Sequence, residues 1–108
     1  MTDDLHMNRV SESFQTFLSE ASGHAQAWTA AVQGLGAASA LDEKTEALAY
    51  LAVLASEGLE TGVPFHVSLA KAAGATREEV ISAILIGLPA AGQIVVRSLP
   101  VALSAYDA

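Results

Sequence analysis

A chain of 108 residues that is 52% hydrophobic and only 16% charged can bury one core but has too few polar groups to cover a monomer, so self-association is expected. Its formal charge of −7, with the five basic residues Arg9, Lys44, Lys71, Arg77 and Arg97 scattered along the chain, leaves no basic patch and argues against nucleic acid as a partner. The absence of cysteine excludes disulfides, thiolate metal sites and thiol chemistry.

The chain starts Met1-Thr2-Asp3-Asp4, acidic where a signal peptide would be basic, which points to the cytoplasm. Val10, Phe14, Phe17, Leu18 and Ala21 recur at helical spacing, so residues 7–21 read as an amphipathic helix with an aromatic core stripe. A turn is expected at Ser22 to His24. Ala25, Trp28, Ala31, Val32 and Leu35 then mark a second, short helix that Gly34 and Gly36 should end, with residues 37–41 as linker. Asp42 is a good N-cap for a third helix reaching Glu57, and residues 47–55 are apolar throughout, as in a helix enclosed on all sides or shared with a partner subunit. Gly58 can end it. Pro64 suits the first turn of a fourth helix from about Val63 to Gly74, because its missing N–H would be unpaired there anyway. Gly74 as C-cap, with Thr76 and Glu79 as a capping box, makes a sharp reversal into a fifth helix from Arg77 to about Leu88. Residues 89–92 should interrupt it, and a last helix should run from Ile94 to about Ala105, kinked or broken at Pro100. Val80 to Val96 carries no charge and approaches the roughly 20 residues that span a bilayer. Ser82, Pro89 and Gln93 within it favour a buried helix pair and no membrane. No repeat and no strand-like alternation is present, so the class is all-α and the chain is one domain.

Among the polar residues, His66 sits near a helix N-terminus between Phe65 and Val67, where the dipole and partial burial should keep it neutral near pH 7. A neutral imidazole serves as general base or hydrogen-bonds a ligand; the plainer reading is a histidine capping or packing at a subunit interface. Glu57 and Glu60 are the carboxylates placed to orient that imidazole, unless they only cap helix ends in solvent. Gln93 and Arg97, four apart and so on one helical face, would either join His66 in a substrate pocket or pair across an oligomer interface. Phe14, Phe17 and Trp28 are core or interface anchors. His6 and His24 are expected in solvent. The histidines share no i, i+4 spacing and no H-E-x-x-H motif, so no metal is expected, and no cofactor motif is present.

Three segments in order carry a resemblance: Leu41-Asp42-Glu43-Lys44-Thr45, then His66 opening the helix after an apolar one, then Ala73-Gly74-Ala75-Thr76-Arg77-Glu78-Glu79-Val80. The chain resembles the carboxymuconolactone decarboxylase and alkylhydroperoxidase D (AhpD) superfamily, in which an L-D-x-K-T entry, a C-x-x-C-x-x-x-H segment and a G-A-T-x-E-E turn follow one another. The likeness covers about residues 41–103, while the N-terminal helices in residues 1–40 match loosely. It implies an AhpD-like bundle of about six helices assembled as a homo-oligomer, a trimer or a hexamer.

Carried over from His66, the family's two redox cysteines fall on Leu59 and Gly62, and its proton-relay glutamate falls on Ala47. Glu46 is adjacent to that position but about 100° around the helix. Leucine and glycine supply neither the attacking nor the resolving thiol, so the resemblance implies a member without peroxidase chemistry. Nor do they match the arginine and glutamate that decarboxylase members often carry there. The expected function is a small organic molecule bound or transformed in an apolar pocket near His66. The alternatives are a structural homo-oligomer without catalysis, and a cofactor-free decarboxylase or lactone-processing enzyme with His66 as base and Glu57 or Glu60 in support.

Overall fold

The computed structural model describes residues 11–108, and all the regular structure in that range is helical. The α-helices are α1 (Glu12–Glu20), α2 (Ser22–Ala38), α3 (Glu43–Glu57), α4 (Val63–Ala72), α5 (Arg77–Leu85), α6 (Leu88–Ala91) and α7 (Leu99–Asp107), with 3-10 segments at Glu60–Gly62 and Gly92–Ser98. Local chemistry sets several boundaries as expected. Asp42 caps α3 by accepting from the Thr45 N–H at 2.7 Å, a bond that also holds its carboxyl below the usual carboxylate range. Thr76 and Glu79 form the full capping box of α5, at 3.1 and 2.8 Å. Between α4 and α5, Gly74 takes φ +97°, a conformation open to glycine and strained for other residues.

Other boundaries differ from the sequence expectation. Ser11 is the N-cap of α1, its hydroxyl accepting from the Phe14 N–H at 3.2 Å, so the helix starts at Glu12; the expected first turn, residues 7–10, lies outside the described residues. Helix α2 begins at Ser22, where a turn was expected, and runs through Gly34 and Gly36 to Ala38. Each glycine costs only about 1 kcal/mol in an exposed helix, and the flanking alanines are strong helix formers. Helix α5 stops at Leu85, and Pro89 stands in the first turn of α6 where it was expected to be part of a break. Pro100 likewise stands in the first turn of α7, so the helix expected from Ile94 is a 3-10 segment followed by an α-helix.

Helix α3 is the hub. Its Leu51, Leu54 and Ala55 are buried against Val63, Val67 and Ala70 of α4, Val80 and Ile84 of α5 and Val95 of the second 3-10 segment. Ala70, Ala102 and Ala105 are buried too, and their small side chains let α7 lie close on α4. One flank of α3 is bare, however: Tyr50 and Val53 are exposed, so the helix expected to be enclosed on all sides is enclosed on part of its circumference within one protomer. The N-terminal hairpin is barer still. Phe14 and Phe17 approach to 5.8 Å between ring centroids, yet α1 buries no residue and α2 buries only Ala25, because the two helices pack mainly on each other. The expected aromatic core stripe is therefore a contact along the surface of α1, with Phe14 exposed and Phe17 half-buried.

The stretch Arg77–Asp107 is long and apolar enough to cross a membrane, with a mean hydropathy of 1.9 in its most apolar window. Here it folds back on itself, α7 returning to pack on both α4 and α5. The end of α7 is fastened to the α4–α5 reversal by three contacts. Lys71 Nζ donates to the Tyr106 carbonyl at 2.6 Å, the Tyr106 hydroxyl donates to the Ala75 carbonyl at 2.8 Å, and Arg77 grips Asp107 through two bonds of 3.0 Å.

A candidate ligand groove at His66

Two stripes of side chains face each other across a concavity of about 860 Å³ between α2 and the α3–α4 pair. Trp28, Val32 and Leu35 form one wall, at the i, i+4, i+7 spacing of a single helical face; Glu43, Glu46, Ala47, Tyr50 and Val53 follow the same logic on α3. His66 and Leu69 of α4 complete the lining. The volume lies within the range of about 300–1,000 Å³ usual for small-molecule sites.

His66 is the imidazole of this groove, half-buried in the second turn of α4. The Tyr50 ring lies 4.4 Å from it between centroids, tilted by 43°, and Phe65 meets it edge-on at 5.3 Å. Burial pushes the His66 pKa below its ordinary value of 6.5, because the apolar surroundings disfavour the cation. At neutral pH the ring is thus uncharged, with one nitrogen able to accept a proton.

The other sequence-derived candidates are dispersed. Ala47, the relay position, lines the groove with His66. Leu59 and Gly62 do not: Leu59 is exposed on the 3-10 turn before α4, and a Cβ on Gly62 would meet the Leu54 methyls of the core at 3.5 Å. Glu57 is exposed at the end of α3 and lies outside the lining. Glu60 faces Arg97 across a separate surface, Oε1 and Nε 2.9 Å apart; the donor is not aligned on the oxygen, so the contact is coulombic more than hydrogen-bonded. Gln93 and Arg97 stand in a 3-10 segment, where each residue turns by about 120°, so a spacing of four separates them by about 120° instead of aligning them. The same geometry superposes Val95 and Ser98, three apart, and both are fully buried. What the sequence reading missed is the wall: Trp28, Val32 and Leu35 carried a visible periodicity, and Glu46, Tyr50 and Val53 carried another.

A second concavity of about 740 Å³ lies between α3 and α5, but it holds no histidine or aromatic residue, and its Lys44 and Glu79 are paired at 2.8 Å. Among the described residues no group of acidic and histidine side chains is arranged to hold a metal ion.

No curated protein and no solved structure matches the chain significantly. The family model of the carboxymuconolactone decarboxylase family matches residues 23–103, a span that starts inside α2 and includes both walls of the groove. By that match the chain belongs to the carboxymuconolactone decarboxylase family, as a member without the redox cysteine pair.

Proposed function

We propose that this protein is a diverged, non-peroxidatic member of its family that binds a small organic molecule in the groove at His66, working as a cytoplasmic homo-oligomer. The observation that carries the reading is the position of a neutral, half-buried imidazole in an otherwise mostly apolar concavity of ligand size. Bound there, a ligand with an acidic C–H or O–H would meet a nitrogen ready to take its proton, and one with a carbonyl would meet an N–H donor. Neither Glu57 nor Glu60 lines the groove, so this reading gives orientation of the ring to Tyr50 and Phe65, by packing.

Trp28 is the chain's one tryptophan and lines the groove, so its fluorescence reports occupancy directly. Titration with a panel of small aromatic and alicyclic compounds should give saturable changes in Trp28 emission that weaken at least severalfold in His66→Ala. Hydroperoxide consumption with a thiol reductant should stay at the level of that variant. Absence of any saturable change across the panel overturns the binding reading. A purely structural role is favoured by one observation, the exposure of Trp28 (51%) and Leu35 (73%) on α2, a face suited to a second subunit.

A further inference from the structure

The groove has a charge character that its apolar walls conceal. Its charged lining residues are Glu43 and Glu46, and no lysine or arginine lines it. The four basic residues in the described range are all engaged elsewhere: Lys44 with Glu79, Lys71 with the Tyr106 carbonyl, Arg77 with Asp107 and Arg97 with Glu60. Glu46 reaches across the groove toward α2, its Oε1 lying 4.0 Å from the point where a Cβ on Gly36 would stand. Neither Glu43 nor Glu46 has an ion-pair partner among the described residues. Two aromatic side chains, Trp28 and Tyr50, share the same lining, and the rings of such side chains attract cations.

Resting on the ligand-binding reading above, we infer that the groove selects by charge: it takes a small organic cation, an ammonium or amidinium group on an apolar body, in preference to a carboxylate of the same shape. The apolar body lies against Val32, Leu35 and Val53 while the cationic head sits between the two carboxylates, Glu43 and Glu46, and the aromatic rings. A carboxylate in the same place would face two like charges without a compensating base.

Three probes of one shape separate the possibilities: 4-phenylbutylamine, 4-phenylbutanol and 4-phenylbutyrate, titrated calorimetrically into the intact protein at low salt. The amine should bind about tenfold more tightly than the alcohol, the combined size of two partly exposed ion pairs and a cation–π contact, and the carboxylate more weakly than either. Raising the ionic strength should shrink the amine's advantage and leave the alcohol unchanged. In the Glu43→Gln, Glu46→Gln double variant the amine and alcohol should converge, with alcohol affinity retained as proof of an intact groove. Equal binding of all three probes by the wild-type protein, or a preference for the carboxylate, overturns the charge inference and leaves the ligand groove standing. No binding by any of the three overturns both.

Discussion

Replacing Gly87 with alanine places a methyl group against the Ser56 hydroxyl of α3, closer than non-bonded atoms tolerate. Gly87 has φ −85° and ψ 2°, which alanine adopts without strain, so the backbone effect alone would stabilise by about 0.4–1 kcal/mol through the unfolded chain. Overpacking opposes it at about 1–3 kcal/mol, for a net loss on the order of 0.5–2 kcal/mol. Removing the obstacle should reverse the sign. With Ser56→Ala in place, the nearest remaining atoms are a Val95 methyl at 3.6 Å and the Cβ of residue 56 at 3.7 Å, both ordinary contacts. Urea unfolding of the four proteins of this cycle, at one protein concentration, should therefore give a coupling energy of about 1–3 kcal/mol between the two sites. Strict additivity, with Gly87→Ala as stable as the wild type, would refute the reasoning, since it would mean that Ser56 rotates away and that α3 does not press on the corner after α5.

Three further outcomes follow from the geometry. Tyr106→Phe removes the 2.8 Å bond to the Ala75 carbonyl and leaves that acceptor unpaired, which should lower stability by about 1–2 kcal/mol in thermal or urea unfolding. His66 has a folded-state pKa below its unfolded value of 6.5, so the unfolded chain takes up the proton first; stability should fall as pH drops through 6.5 and level off below the depressed folded value. His66→Gln should remove that component, and a wild type whose stability is no more pH-sensitive than the variant in this window counts against burial of the ring. Light scattering coupled to gel filtration should find a trimer or hexamer, and Ile86→Glu, an exposed apolar residue after α5 that lies outside the groove, should shift it toward smaller species; an unchanged elution mass would exclude that face from the interface.

The parts of the fold legible in the sequence are those fixed within one turn of chain. Asp42, the Thr76 and Glu79 pair, Gly74 and Pro64 each act on neighbours three or four residues away, and all stand where their chemistry requires. Glycine is ambiguous by comparison: Gly58 ends α3 in the left-handed conformation, whereas Gly34 and Gly36 stay helical, and the difference lies in surroundings that composition does not encode. The 3-10 segment Gly92–Ser98 was also illegible, because α and 3-10 windings share an apolar pattern over so few residues and the packing of Val95 and Ser98 beneath α3 and α7 selects between them. At the site, His66 was found through its place in an ordered set of segments. The groove opposite it was not, since facing walls are a property of two helices brought together.

The fastening at the end of α7 makes the molecule mechanically one-sided. The last turn of a terminal helix is usually where a domain frays, yet here Tyr106 and Asp107 are tied to the reversal between α4 and α5. Helix α2, in contrast, is seated by the single buried side chain of Ala25. On the ligand-binding reading, the α3–α4 wall that carries His66 would serve as the fixed template and the α2 wall with Trp28 as the side that adjusts. Occupants of different size would be accommodated by tilting one helix, with the imidazole and its flanking rings held in place.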